Sequence, residues 1–229
     1  MTCDNLQTIE KNIALAAERC GRSADSVQLV AVSKRKDLEV IQQAISCGQQ
    51  VFGENYLQEA EQKITALKNK KLCWHFIGHL QSNKARIAAE LFDVIETVDR
   101  IKIARTLDRH AVALDKDLRV FVQVNIGREN QKHGVLPEDA EELLVLINRE
   151  TQLKVLGLMG MPPYSNDPED ARGYFRELKQ LSDRLAGKKV FADNTDVQLS
   201  MGMSADYMVA IEEGATLVRV GTALFGRRA

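Results

Sequence analysis

One structural unit is complete within residues 27–48, which read VQLVAVSKRKDLEVIQQAISCG. Its first six residues, 27–32, are almost all apolar, a pattern that is typical of a buried strand. Asp37 can then cap a helix whose apolar residues recur every three or four positions, and Gly48 can end that helix. A buried strand followed directly by an amphipathic helix predicts a β/α unit.

The same alternation of strand and helix continues along the chain. A first helix, with apolar residues on one face and Gly21 at its end, precedes the unit. After the unit, seven more short apolar runs alternate with stretches of helical period. They predict strands at residues 51–53, 72–77, 92–98, 118–126, 154–159, 197–200 and 216–220. Each strand except the last is followed by a clear helical pattern.

This order of elements predicts the fold class. Strands that alternate with helices pair in parallel through crossover helices, and eight such units in roughly 200 residues match the lower size limit of a (β/α)8 barrel. We therefore predict an α/β protein, a single (β/α)8 TIM barrel with an extra N-terminal helix, as one domain over residues 1–229. An open, doubly wound sheet is the alternative. Such sheets usually have fewer strands, and no GxGxxG motif follows the first strand here.

The composition excludes several classes of protein. The 229 residues include 31 Lys and Arg against 32 Asp and Glu, a net charge of −1, so there is no basic excess to neutralise nucleic-acid phosphates. The longest apolar run, residues 143–147, is far shorter than a membrane span requires. The N-terminus lacks the pattern of a secretory signal. We expect a cytoplasmic protein that binds neither nucleic acid nor membranes.

The cysteines indicate neither a disulfide framework nor a metal site. The chain has four, none of them in a CxxC pair. They are Cys3, Cys20, Cys47 and Cys73. We expect four free thiols. His75 and His79 are four residues apart on a strand and its exit, a separation of ~13 Å that is too long for one ion, so we predict no metal site.

Two charged residues stand out because parallel barrels carry their chemistry at the C-terminal ends of the strands. Lys34 follows the first strand, where desolvation can make its amine a nucleophile for a carbonyl group. A solvated lysine is the alternative. Arg219 lies between Val218 and Val220 on a predicted interior strand and needs a partner or a ligand there. A salt bridge to a neighbouring strand is the alternative for Arg219.

Two segments near the C-terminus have the composition of anion sites. Glycine amides after the last strand of a barrel, here residues 221–226, often bind phosphate. Residues 199–204 place a small hydroxyl group and a glycine before a predicted helix, which can bind an anion or simply cap that helix with Ser204. The polar run at residues 128–133 is interpreted as a solvated loop whose position leaves a contact to a bound anion open.

Seven groups of residues, in order and at strand ends, together resemble the pyridoxal phosphate homeostasis proteins, which look like the barrel domain of alanine racemase. Any one of these motifs is weak, but seven in register are specific. The motifs are VAVSK at 30–34, FGENY at 52–56, WHFIG with LQSNK at 74–84, VQVNI at 122–126, GLM at 157–159, LSMGMS at 199–204 and VRVGTALFG at 218–226. The chain departs from the family at Arg35, Asp37 and Gly127, which are loop positions.

The resemblance implies pyridoxal 5′-phosphate as the cofactor. It implies that Lys34 forms the internal aldimine and that Arg219 faces the pyridine nitrogen. An arginine cannot accept the pyridinium proton, so the ring nitrogen would stay unprotonated and the cofactor would be a weaker electron sink. The resemblance assigns the phosphate contacts to Ser200, Gly221 and Thr222, and it places Asn55 beside the cofactor.

The resemblance also implies a function. The family is regarded as a carrier or buffer of the cofactor in intracellular vitamin B6 and amino-acid homeostasis, without established catalysis. The chain ends at Ala229, so we expect no second domain of the kind that supplies a tyrosine base to alanine racemase. A small racemase or related enzyme is the alternative, and a phosphate-sugar barrel without the aldimine is another. We expect a monomer, with pyridoxal phosphate-dependent apoenzymes as candidate partners.

Overall fold

A closed barrel of eight parallel strands forms the centre of the computed structural model, which describes residues 2–67 and 71–226. Each strand pairs with the next one along the chain, and the last pairs with the first. The strands are β1 Gln28–Val32, β2 Val51–Glu54, β3 Cys73–Phe76, β4 Val94–Val98, β5 Arg119–Val124, β6 Lys154–Gly160, β7 Gln198–Met203 and β8 Leu217–Val220. The predicted barrel is confirmed. The domain predicted over residues 1–229 includes residues 1, 68–70 and 227–229, which lie outside the described residues.

Helices precede the first strand, connect successive strands and follow the last strand. They are α1 Thr2–Arg19, α2 Leu38–Ser46, α3 Leu57–Leu67, α4 Ala85–Leu91, α5 Ile101–Ala113, α6 Ala140–Glu150, α7 Arg172–Gly187, α8 Tyr207–Glu212 and α9 Thr222–Phe225. The sequence showed no helix after the last strand, because the four residues of α9 are too few to reveal a period. Within the described ranges, no helix is both long and apolar enough to cross a membrane.

The hydrophobic core has two parts. The larger part lies between the strands and the helices that cover them. The smaller part fills the barrel and consists of Val30, Val94, Phe121, Met159 and Leu217. Side chains two positions further along a strand face the same side, so Glu96, Gln123 and Arg219 lie above this apolar layer. The interior therefore becomes polar toward the C-terminal mouth.

The extra N-terminal helix predicted from the sequence is confirmed as α1. Its buried face consists of Leu6, Ile9, Ile13, Ala16 and Ala17. It packs on α8 and α9, where Asn12 Nδ2 donates to Tyr207 Oη at 3.0 Å and Asn5 Nδ2 donates to Leu224 O at 2.9 Å. The helix thus covers two helices that are themselves too short to shield the barrel.

The cysteines differ from the prediction. Cys3 and Cys47 form a disulfide, with their Cα atoms 5.6 Å apart, whereas Cys20 and Cys73 are free. The prediction of four free thiols is therefore wrong for the first pair. The two cysteines are 44 residues apart in sequence, and only the packing of α1 against α2 brings them together.

Candidate functional site

A cavity of about 590 Å³ opens at the C-terminal mouth of the barrel. This volume falls in the range of small-molecule sites, and the position is where parallel barrels carry their chemistry. Its lining contains five of the six residues that the sequence analysis assigned to a cofactor: Lys34, Asn55, Arg219, Gly221 and Thr222. The chain folds these residues into one place although they come from the first, second and last strand ends.

Lys34 lies two residues beyond β1, between two anchored neighbours. The carbonyl oxygen of Ser33 accepts a hydrogen bond from Lys63 Nζ at 2.7 Å. Arg35 has a φ of 57°, in the left-handed region that residues other than glycine seldom adopt. Its backbone N–H donates to a carboxylate oxygen of Glu59. The backbone on both sides of Lys34 is therefore held in place.

Lys63 joins these anchors in a buried cluster of charges. Its Nζ lies 2.8 Å from Glu54 Oε1 and 2.5 Å from Glu59 Oε1, and Ser33 Oγ donates to the same Glu54 oxygen at 2.6 Å. Burial raises the pKa of Glu54, and the hydrogen bonds from Lys63 and Ser33 oppose that rise. Breaking one of these contacts would leave a buried charge uncompensated, which is costly. Because the contacts are costly to break, they restrict the loop that carries Lys34.

Asn55 is positioned by the neighbouring strand end. It directly follows β2, and Gly78 lies two residues beyond β3. A Cβ atom on Gly78 would lie 2.2 Å from the carbonyl oxygen of Asn55, so only glycine permits this approach. Thr97 Oγ1 donates to Gly78 O at 2.6 Å. These contacts connect the ends of three consecutive strands.

Arg219 is buried in the barrel interior below the cavity, where it is only 4% exposed. Its Nη1 donates to Ser200 Oγ at 2.5 Å, and its Nη2 donates to Gly160 O at 3.1 Å. Ser200 Oγ donates in turn to Glu96 Oε2 at 2.5 Å. The other oxygen of Glu96 lies 2.6 Å from His75 Nδ1. Arg219 therefore has both a salt bridge partner, Glu96 at 3.7 Å, and a face toward the cavity.

The charges of this interior cluster support one another. Burial favours the neutral form of Glu96, but the hydrogen bond and charge of His75, with the charge of Arg219, hold the pKa of Glu96 below its usual range. Burial also opposes the charge on His75, yet hydrogen bonds with Cys73 and Glu96 raise the pKa of His75 to about 9. Burial lowers the pKa of Arg219, while Glu96 and Asp206 raise it. A guanidinium remains protonated in proteins, so Arg219 acts only as a donor.

Backbone amides at the start of α9 converge on one side chain. Ser204 Oγ accepts hydrogen bonds from the N–H of Gly221 at 3.2 Å and from the N–H of Ala223 at 3.3 Å. Ser204 lines the cavity together with Gly221 and Thr222. Amides that converge on one oxygen in this way are the arrangement that binds phosphate groups in proteins.

Ser200 lies outside the set of described residues that line the cavity. It is fully buried, and its hydroxyl group is engaged by Arg219 and Glu96. Phosphate binding by Ser200 stays a prediction; its hydroxyl group lies between Arg219 and Glu96, where it can position Arg219. Ser204, four residues later, has the place in the lining that was expected of Ser200.

Two residues of the site were missed from sequence, and a third was left with two possible roles. Glu96 carries a signal similar to that of Arg219, a charge within a mostly apolar strand, and could have been found in that way. Lys63 lies on an amphipathic helix among other charged residues and gives no signal. Ser204 was interpreted as a helix cap or as part of an anion-binding segment.

The loop after β5 also contributes to the cavity. Residues 128–133 were predicted to form a solvated loop with a contact to a bound anion left open, and Gln131, Lys132 and His133 of this loop line the cavity. Lys132 Nζ donates to Pro162 O at 3.0 Å, which ties this loop to the one after β6. The rim is therefore built from neighbouring loops in contact.

Comparison with known proteins identifies the family. The family model described as alanine racemase, N-terminal domain, matches residues 5–229. A protein of Aquifex aeolicus named "Pyridoxal phosphate homeostasis protein" is 43% identical over 226 residues, which cover 99% of this chain and 98% of that protein. The chain belongs to the pyridoxal phosphate homeostasis protein family.

Solved structures share the barrel of this pyridoxal phosphate homeostasis family member. PipY of Synechococcus elongatus, in a structure with PLP bound, has a TM-score of 0.85 and 34% identity, and the match covers 99% of this chain and 100% of PipY. An alanine racemase of Clostridium difficile has a TM-score of 0.76 at 17% identity, with 98% of this chain and 57% of that chain covered. The second likeness shows a shared fold alone.

Proposed function

We propose that this protein binds pyridoxal 5′-phosphate in the cavity at the barrel mouth and carries or buffers it, contributing to vitamin B6 and amino-acid homeostasis. The observation that carries the proposal is that Lys34, Arg219, Gly221 and Thr222 line one cavity. They offer an amine for the aldehyde, a guanidinium for the ring nitrogen and amides for the phosphate. The name of the Aquifex relative and the PLP bound to PipY support it.

Lys34 is the proposed covalent anchor. Its Nζ would condense with the aldehyde carbon to form an imine, with loss of one water molecule. The anchoring of Ser33 and Arg35 supports this role, because it limits the freedom of the backbone that carries the amine. A pre-organised nucleophile loses less conformational entropy when the bond forms.

Arg219 is the proposed partner of the pyridine nitrogen. It can only donate a hydrogen bond, so the ring nitrogen serves as the acceptor and stays unprotonated. An unprotonated ring withdraws electrons less strongly from a bound amine. The contacts of Arg219 with Ser200 and Gly160 hold it for this task. This arrangement favours holding the cofactor over using it in catalysis.

The tyrosines support the absence of useful racemase turnover. Proton exchange on both faces of a substrate needs two positioned bases. Among the described tyrosines, Tyr164 lines the cavity but is 85% exposed, and its hydroxyl contacts Asn166 at 3.1 Å. Tyr56 lies outside the lining, and Tyr174 and Tyr207 pack in or against the hydrophobic core. None of the four is held over the cavity by buried contacts.

The proposal is tested by absorbance and by reduction with borohydride. Protein mixed with pyridoxal phosphate is expected to show the imine absorbance band, and borohydride should fix the cofactor on the peptide that contains Lys34. Lys34→Ala should abolish both signals. Lys36→Arg, a change at another lysine of the lining, should leave both in place. Reduction mainly onto Lys36, Lys84 or Lys132 would contradict the assignment, and absence of the band in the unmodified protein would favour a phosphate-sugar barrel.

A small racemase is the second candidate function, because Tyr164 does reach the cavity lining. It is tested by measuring D-alanine formation from L-alanine with the cofactor-loaded protein. We expect no turnover in the usual enzyme range of ~1–10³ s⁻¹. A rate in that range that is lost in Tyr164→Phe would replace the carrier function with catalysis.

A further inference from the structure

Three side chains of the types that ligate metals meet at the rim of the cofactor cavity, on the loops after β3, β4 and β5, and two of them, His79 and His133, line the cavity. They are His79, Asp99 and His133, whose ligand atoms all lie within 4.8 Å of one another. The rings of His79 and His133 are stacked, with their centroids 3.5 Å apart and their planes at 12°. None of the three residues belongs to the proposed cofactor contacts. Their convergence from three separate loops is unexplained by the proposed function.

The backbone on both histidine loops is pre-organised. His79 follows Gly78, whose packing on Asn55 and hydrogen bond from Thr97 fix that loop. His133 is held through its carbonyl oxygen, which accepts from Gln123 Nε2 at 2.9 Å. The next residue, Gly134, has a φ of +123°, and a Cβ there would lie 2.6 Å from a backbone nitrogen of the β5 exit. The backbone that carries the two imidazoles is therefore held in place on both loops.

Asp99 is held by an outer partner. Arg100 Nη1 forms a salt bridge with Asp99 Oδ1, and Arg100 Nη2 donates to Leu80 O at 3.1 Å. A carboxylate has acceptor capacity on both oxygens, so this contact still allows a further ligand bond. Side chains that ligate metals are commonly oriented by a second hydrogen-bonding group in the same way.

We propose that His79, Asp99 and His133 bind a divalent transition-metal ion of the zinc type at the rim of the cavity. Two imidazoles and one carboxylate suit zinc, cobalt, nickel or copper, whereas magnesium and calcium prefer oxygen ligands alone. Ligand atoms at ~2.1 Å around a tetrahedral ion lie roughly 3.4 Å apart, so the two stacked imidazoles must rotate apart to direct their nitrogens at one ion. Both histidines are exposed, which leaves room for that rotation. Three protein ligands leave one coordination position open.

The test is a titration of the full-length protein with Co²⁺ as a spectroscopic probe, without added pyridoxal phosphate. We expect one equivalent to bind with the visible spectrum of a low-coordinate site. His79→Ala and His133→Ala should each weaken binding at least tenfold. His110→Ala, which removes a histidine in the last turn of α5 and outside the cluster, should bind as the unmodified protein does. Circular dichroism of each variant confirms folding.

Three results would overturn the site. The first is no binding by the unmodified protein, and the second is equal binding by the unmodified protein and both histidine variants. The third is a thiolate charge-transfer band that disappears in Cys20→Ser or Cys73→Ser, which would assign the ion to a free cysteine. The titration does not depend on pyridoxal phosphate, so its failure leaves the proposed cofactor site unaffected, and failure of the cofactor site leaves this one standing.

Discussion

Ser200 and Ser204 show that the same side chain makes different contacts inside a strand and just beyond its end. Ser200 points into the barrel interior and is enclosed between Arg219 and Glu96. Ser204 lies beyond the end of β7, at the level of the cavity, and accepts from the amides that follow β8. A hydroxyl group inside the barrel positions other side chains, whereas a hydroxyl group at the rim can contact a ligand.

The two serines therefore have separable effects when replaced by alanine. Ser204→Ala should weaken binding of pyridoxal phosphate by about 10-fold or more, because charge-assisted hydrogen bonds to phosphate contribute roughly 1.5–3 kcal/mol each. Its affinity for pyridoxal, which has no phosphate, should change little. Titrations with both ligands, followed by absorbance, measure the difference. An equal loss for both ligands would contradict a phosphate contact.

Ser200→Ala is the matched change inside the barrel. It leaves Arg219 and Glu96 without a shared partner, which should lower the free energy of unfolding by about 1–3 kcal/mol. Urea denaturation measures this loss. If Ser200→Ala instead lowered phosphate affinity without affecting stability, the original assignment of Ser200 to the phosphate would be correct.

At the scale of elements, the site depends on how closely successive strand ends approach. The loops after β2 and β3 touch where Gly78 meets the carbonyl of Asn55, and Thr97 at the end of β4 donates to the same loop. This contact positions Asn55 in the cavity and His79 at the rim. One glycine thus connects the proposed cofactor site with the proposed metal site.

Gly78→Ala should disturb this contact. The added Cβ would lie 2.2 Å from a backbone oxygen, so one loop must move, and overpacking of this kind costs about 1–3 kcal/mol of unfolding free energy. Pyridoxal phosphate binding should weaken as Asn55 is displaced. Gly173→Ala in α7 is the control, because its added Cβ meets nothing within 4 Å beyond its chain neighbours and its own helix backbone, and it should stabilise the helix by up to ~1 kcal/mol. Equal unfolding midpoints for the two variants would refute the steric argument.

At the scale of the whole molecule, the interior cluster makes stability depend on pH. His75, Glu96 and Arg219 come from three different strands, and the Glu96 carboxylate pairs with both cationic groups within the barrel. Hydrogen bonds with Cys73 and Glu96, acting against burial, raise the pKa of His75 to about 9. In the unfolded chain the pKa of histidine is ~6.5. The folded protein therefore holds a proton that the unfolded chain has already released between these two values.

We expect the free energy of unfolding to fall between pH 6.5 and pH 9. The contribution of His75 is fully present below its unfolded pKa and is lost as the pH rises through about 9, a change of roughly 3 kcal/mol at most. Urea midpoints measured across this range test it. His75→Gln should remove the slope, whereas His110→Gln should retain it. A slope in His75→Gln equal to that of the unmodified protein would show that another group causes the dependence.

Part of the site could be predicted because its residues directly follow strands that the apolar pattern of the sequence reveals. Lys34, Asn55, Gly221 and Thr222 follow strands whose apolar runs mark their ends, so a barrel topology carries them to one mouth. Arg219 was identifiable because a charge interrupts an apolar strand. Lys63 was not predictable, because it reaches the site from a helix through long-range contacts with Ser33 and Glu54.

The sequence alone determined the order of the elements, the closed parallel barrel and the set of polar strand ends, because apolar periodicity and strand-helix alternation are properties of neighbouring residues. Tertiary structure decided which side chains meet. Ser200 and Glu96 bond across 104 residues, Cys3 reaches Cys47, and His79 stacks on His133. The physical reason is that such contacts depend on the register and twist with which the barrel closes, which a local pattern does not encode.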